Sequence, residues 1–344
     1  MEPTWLQTTW FILIGVLLAG YAVLDGFDLG VGMLHPLARD DEERRTFLNA
    51  IGPIWDGNEV WLITFGGALF AAFPYAYATV FEGLYTAVML LLFALIFRAV
   101  SIEFRSKLQT PAWRRAWDWG FFVSSFLATL LFGVAVGNGI LGLPLTPAGG
   151  FSPAFSFFDL LNPYGILVGL LSLSLFAMHG ALYLHLKVPF GPLHERLRGW
   201  MWHTWGIFLV CYILTTMYTL IAVGRAVPNF AQFPWAALLV VANVLAIANI
   251  PRAVYADRPG QAFLSSCATI LLLVALFGLA QWPYLVPARD PSLAGWTVAS
   301  AASSPKTLGV MLVVALVGMP LVLAYTAVVY WTFRGRVRLE GQGY

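Results

Sequence analysis

Five ionisable side chains interrupt otherwise apolar sequence: Asp25, Asp28, Asp56, Glu59 and Arg98. Each such group costs about 2.5–3.5 kcal/mol at the centre of a spanning helix on insertion scales, so each is a functional hypothesis. The i,i+3 spacing puts Asp25 with Asp28, and Asp56 with Glu59, on common helical faces. Four carboxylates around one guanidinium cannot all ionise cheaply, so at least one must be able to hold a proton. A wet carboxylate cluster of this kind is what a proton relay needs. A structural reading competes with it. Acidic residues at a helix start favour the macrodipole, which suits Asp56 and Glu59, and an Arg–Asp pair can simply lock helices together. Asp25 and Asp28 come too late in their helix for the first explanation.

The elements that must position these groups follow from composition. The chain has 344 residues, 60% hydrophobic and 10% charged, with a mean hydropathy of +0.78. Soluble domains run at about 45–50% apolar and about 25% charged, so the class is all-α integral membrane. The apolar content and the net charge of +2 exclude intrinsic disorder. The balance of 19 Lys+Arg against 17 Asp+Glu argues against a nucleic-acid platform. Two cysteines, Cys211 and Cys267, cannot build a disulfide framework or a Cys-ligated cluster.

A spanning helix needs about 20 mostly apolar residues. Windows of that length give about nine transmembrane helices, roughly 7–34, 54–74, 78–102, 117–141, 163–187, 203–224, 233–254, 262–283 and 307–333, in one polytopic domain over residues 1–344. The first has no basic n-region and too long an apolar stretch for a signal peptide, so it is expected to be a retained helix. On this count alternate loops collect fifteen of the Lys and Arg residues. The opposite side holds only Arg225, Arg289 and Lys306. The positive-inside rule then places the N-terminus outside and the C-terminus in the cytoplasm. Asp25, Asp28, Asp56, Glu59 and Arg98 fall at one depth, toward the cytoplasmic side. Asn162-Pro163 reads as a capped helix start, Pro74 as a helix end and Pro320 as a kink. The segment 40–52 is short and amphipathic and is expected to lie along the cytoplasmic face.

Histidine is a possible haem ligand. His35, His194 and His203 fall at or near helix ends, where solvated loop roles are expected. His179 and His185 are spaced i,i+6 and do not share a face well, and no bis-His pattern emerges. One helix-borne histidine as an axial ligand stays open. No HExxH, CxxCH or P-loop motif is present, and no GxGxxG stands before a helix.

The motifs resemble a known family. Asp25-Gly26-Phe27-Asp28 matches its first signature. Trp55-Asp56-Gly57-Asn58-Glu59-Val60-Trp61-Leu62, followed by Gly66-Gly67-Ala68-Leu69-Phe70-Ala71-Ala72-Phe73-Pro74, matches its second and longest. Phe97-Arg98, Phe104-Arg105-Ser106-Lys107, Gly137-Asn138, Asn162-Pro163, Ala177-Met178-His179-Gly180 and Phe333-Arg334-Gly335-Arg336 continue the likeness over nearly the whole chain. The family is subunit II of the cytochrome bd-type quinol oxidases, including the cyanide-insensitive branch.

The resemblance implies a nine-helix, non-haem partner of a haem-bearing subunit I, in the bacterial cytoplasmic (inner) membrane. Such complexes reduce O2 to water with electrons from a membrane quinol and build a proton-motive force. The haems (b-type together with haem d or a second haem b) are implied to lie on subunit I, with none bound directly by this chain. The proton-path positions carried over are Asp25, Asp28, Asp56 and Glu59, with Arg98 as counter-ion and Trp61 beside an oxygen-access route. A small accessory subunit, a quinone and lipids are further partners that the resemblance allows, and nucleic acid is not among them. Two other readings of the same charges are an ion-coupled transporter, which would show paired helix interruptions in its two halves, and a purely structural scaffold. The loop 142–162 matches no signature, and its role is open.

Overall fold

The computed structural model describes residues 2–338. Twelve α-helices run in chain order: α1 (Trp5–Leu34), α2 (Asp41–Ile51), α3 (Trp55–Ala72), α4 (Pro74–Gly83), α5 (Tyr85–Phe104), α6 (Pro111–Leu141), α7 (Pro163–Lys187), α8 (Pro192–Ala222), α9 (Pro228–Gln232), α10 (Ala236–Tyr255), α11 (Pro259–Gln281) and α12 (Pro305–Thr332). A two-stranded antiparallel ribbon, β1 (Tyr284–Val286) with β2 (Trp296–Thr297), lies between α11 and α12.

Among the described residues, eight helices are long and apolar enough to cross a membrane: α1, α5, α6, α7, α8, α10, α11 and α12. The remaining expected span, 54–74, is present as α3 but is less apolar, because its first turns carry Asp56, Asn58 and Glu59. Its 18 residues cover about 27 Å, slightly less than a bilayer core. The expected span 78–102 is divided: α4 ends at Gly83 and α5 starts at Tyr85. At the break Phe151 packs against Gly83, where a Cβ would meet its ring at 2.0 Å. Two starts come earlier than the apolar windows suggest. α6 begins at Pro111 and α8 at Pro192, each with proline in the first turn. Their first turns are charged and so fall outside an apolar window, yet they are helical; Arg196 on α8 donates to Glu43 on α2 at 2.6 Å. The amphipathic segment forms α2, capped by Asp40 and joined to α7 where the Tyr183 hydroxyl donates to the Ala50 carbonyl at 2.8 Å.

α7 is the hub, packing on α1, α6, α8 and α11. Lipid gives helices no hydrophobic drive to associate, so small residues that let backbones approach do much of the work. On α1 and α7 the approach is through glycines. A Cβ at Gly30 would meet the Phe176 carbonyl oxygen at 2.0 Å and Gly180 Cα at 2.9 Å. On α6 and α7, Gly133 sits against Gly169 in the same way. α12 is the opposite case. It is mostly exposed, with Val313, Val314, Leu316, Val317, Leu321 and Trp331 on the surface.

These contacts sort the loops into two ends. Arg44, Arg105, Arg114 and Arg196 meet Asp118, Asp41 and Glu43 at one end. Gly142, Arg225 and Ala288 meet at the other.

Overpacking a tight contact costs about 1–3 kcal/mol, and more where backbone is the neighbour. Gly30→Val is therefore expected to lower the melting temperature and yield of the purified protein. Gly15→Val, on the same helix but with open space around it, is expected to change neither. Thermal unfolding of the two variants side by side checks the contrast.

Candidate functional site

The Gly30–Gly180 contact draws α1 into the bundle and buries its later turns, including Asp25 (0% exposed) and Asp28 (1%). α3 and α5 complete the site. Arg98 from α5 is fully buried, and its Nη2 donates to Asp25 Oδ1 at 2.6 Å and to Glu59 Oε1 at 2.5 Å. One guanidinium nitrogen thus joins carboxylates from two other helices.

Asp28 is held differently. Its Oδ2 accepts from the Asn58 amide at 2.7 Å, and Asn58 also donates to the Leu24 carbonyl at 3.1 Å. The Asn58 carbonyl oxygen in turn accepts from the Tyr330 hydroxyl of α12 at 2.9 Å. Tyr21 lies one turn before Asp25, and its buried hydroxyl has no hydrogen-bond partner in the protein. The same holds for Asp25 Oδ2, Asp28 Oδ1, and Arg98 Nε and Nη1. Buried polar atoms are normally satisfied by protein or ordered water. This density of unmatched donors and acceptors in one place marks a polar interior inside an apolar bundle.

Three of the four expected carboxylates are therefore gathered: Asp25, Asp28 and Glu59, with Arg98 among them. Asp56 is not part of the buried group. It stands exposed on α3, one turn before Glu59. The i,i+3 spacing keeps the two adjacent, but α3 is turned so that Glu59 is the inner residue and Asp56 the outer. Glu59 keeps 22% of its side chain exposed and so links the interior to that surface. Trp61 packs with Leu17 and Tyr21. It lies so flat on α1 that a Cβ at Gly20 would meet its ring at 2.4 Å.

The histidine expectations need correction at two places. His35 is not a solvated loop residue. It is 1% exposed, and its Nε2 lies 2.7 Å from Asp118 Oδ1 on α6. Asp118 also accepts from Arg105 Nε at 2.5 Å, and Arg105 and Arg114 share Asp41. His194 is likewise buried, stacked on His185 with ring centroids 4.0 Å apart and its Nδ1 3.2 Å from Arg336. His203, by contrast, is exposed.

Of the helix-borne histidines, His179 is not free to ligate a haem. The two ring nitrogens of His179 are engaged, Nδ1 with the Ser266 hydroxyl at 2.7 Å and Nε2 with the Val23 carbonyl at 3.0 Å. His35 is committed to Asp118. Among the described residues no group of three or more His, Cys, Asp or Glu side chains could hold a metal ion.

Removing one member of a buried ion pair strands the other charge, at a cost of about 3–5 kcal/mol, whereas replacing both partners by apolar groups is often neutral. Arg98→Leu is accordingly expected to lower the melting temperature sharply. Asp25→Leu combined with Arg98→Leu should recover part of that loss, and equal melting temperatures for the single and double variants would contradict it.

Comparison with known proteins gives one consistent result. The family described as cytochrome bd terminal oxidase subunit II matches residues 6–333. The chain is 39% identical to the cytochrome bd-I ubiquinol oxidase subunit 2 of Escherichia coli (strain K12), over 97% of this chain and 96% of that one. It is 34% identical to the cytochrome bd ubiquinol oxidase subunit 2 of Bacillus subtilis (strain 168), over 96% and 97%. Among solved structures, a chain of the bd oxidase from Geobacillus thermodenitrificans superposes with a TM-score of 0.79 at 16% identity, covering 96% of this chain and 99% of that one.

Proposed function

The chain belongs to the cytochrome bd terminal oxidase subunit II family, and from that premise we propose that its part in the quinol oxidase is to carry protons while its partner carries electrons. It is a multi-pass membrane subunit of a complex that contains haem and a subunit 1. The relatives' names disfavour the transporter and the free-standing scaffold. The quinol is oxidised and O2 reduced on the haem-bearing partner; the chemistry the haems supply there is electron transfer to O2.

One observation carries the proposal: Arg98 holds Asp25 and Glu59 together, with the Asp28–Asn58–Tyr330 chain alongside, deep in the bundle. Lone carboxylates at this depth would be prohibitively costly. A single arginine balancing several of them leaves net acidity, so a proton can be shared without introducing a new charge. In this reading Arg98 is the counter-ion, Asp25, Asp28 and Glu59 pass the proton, and Asp56 stands where the path meets the exposed face of α3. The basic loops face the cytoplasm of a bacterial inner membrane, which supplies the proton. Trp61, wedged against α1, borders the oxygen route.

The test is quinol-driven O2 consumption by purified complexes carrying Asp25→Asn or Asp28→Asn, normalised to haem content. Positioned proton-transfer groups contribute roughly 100–10,000-fold, so turnover should fall by at least about tenfold with haem spectra unchanged. Normal turnover per haem would refute the proton role. Low haem incorporation with normal turnover per haem would favour a structural one.

A further inference from the structure

At the end of the bundle away from the basic loops, cations are scarce: Arg225, Arg289 and Lys306 are the ones expected there. Two of these three line a single cavity of about 450 Å³, together with Tyr284, Leu141 and Ala222. The cavity lies where α6 and α8 end and the segment 284–295 folds across them. Arg225 follows directly on α8, so it sits at the level where a spanning helix leaves the apolar core.

Neither guanidinium is matched by an anion. Among the described residues, no carboxylate forms an ion pair with Arg225 or Arg289. Their hydrogen-bond partners are neutral oxygens at long range. Arg225 Nη1 donates to the Ala288 carbonyl at 3.2 Å; Arg289 donates to the Gly142 carbonyl at 3.3 Å and to Asn138 Oδ1 at 3.4 Å. Asp159 acts on Arg289 through space but makes no ion-pair contact with it. Asp159 accepts from the Ser156 backbone and hydroxyl, and Asp290 from those of Ser292. Arg225 is half-buried, and its partial withdrawal from water pulls it below its ordinary range, whereas Arg289 is exposed.

The backbone makes room for this arrangement. Gly142 adopts φ +88°, and a Cβ there would meet Arg225 Nη1 at 2.6 Å and the Ala288 carbonyl oxygen at 2.8 Å. A side chain at 142 would push the guanidinium out of the cavity.

We propose that Arg225 and Arg289 form a binding site for a phosphate oxyanion, and that its source is the headgroup of a phospholipid in the outer leaflet. Guanidinium groups offer paired N–H donors that match phosphate geometry. Leu141 and Ala222, at the ends of α6 and α8, give the acyl chains an apolar exit into the bilayer. A bound headgroup would tie the ends of α6 and α8 to the loop that covers them.

The test uses the detergent-purified oxidase complex and native mass spectrometry. The wild-type complex should retain a phospholipid through detergent exchange. Arg225→Gln/Arg289→Gln should lower its occupancy by at least about fivefold, the order expected when charge-assisted hydrogen bonds are lost, while Arg225→Lys/Arg289→Lys keeps most of it. Equal occupancy in the Gln variant overturns the site. Titration of delipidated complex separates the sources: binding of phosphatidylglycerol supports a lipid, whereas binding of inorganic phosphate alone overturns the lipid assignment. If the Gln variant does not assemble, the wild-type complex solved in lipid nanodiscs decides the matter. Headgroup density between the two guanidiniums supports the proposal, and its absence overturns it.

Discussion

The structure depends on how one buried guanidinium is shared. Arg98 has no exposed surface, and its Nη2 reaches Asp25 on α1 and Glu59 on α3 at once. Charge attraction in a medium of low dielectric is strong, but so is the desolvation it must offset. The balance closes because three helices bring their charges to the same point. Removing α5 from this contact would leave Asp25 and Glu59 without their counter-charge in an apolar bundle. The interaction that makes the site chemically interesting also sets the register of α1, α3 and α5.

Small residues let that register form. The Gly30–Gly180 and Gly133–Gly169 approaches clamp α1, α6 and α7, and the charged turns of α1 are buried as a consequence. α3 then serves two surroundings. Its inner side contributes Asn58 and Glu59 to the polar interior. Its outer side leaves Asp56, Val60, Ile63 and Phe70 exposed. Glu59, partly exposed, lies between the two. A helix with this double character is less apolar than its neighbours, so it falls below the apolarity of the eight obvious spans.

Much of this was legible in the residues themselves. Charges in apolar runs are rare enough that Asp25, Asp28, Glu59 and Arg98 stood out, and their helical spacing placed them at one depth. Asn58 and Tyr330 did not stand out, since amides and phenols occur in many spanning helices, and this pair lies 272 residues apart. Asp56 was grouped with the others because spacing gives a shared face but not which way that face turns. His35 looked solvated because it ends a helix; only the packing of α6 brings Asp118 across to bury it. The early starts of α6 and α8 were hidden by charged first turns, where Pro111 and Pro192 were the available signals.

The central claim is that this carboxylate cluster binds and releases a proton as the oxidase turns over. Infrared difference spectroscopy of the assembled complex, oxidised against reduced, reads it directly. The account predicts a protonated-carboxyl band that changes between the two states and disappears in the Asp28→Asn or Asp25→Asn complex. A wild-type difference spectrum with no carboxyl band, or one left unaltered by both substitutions, would contradict it.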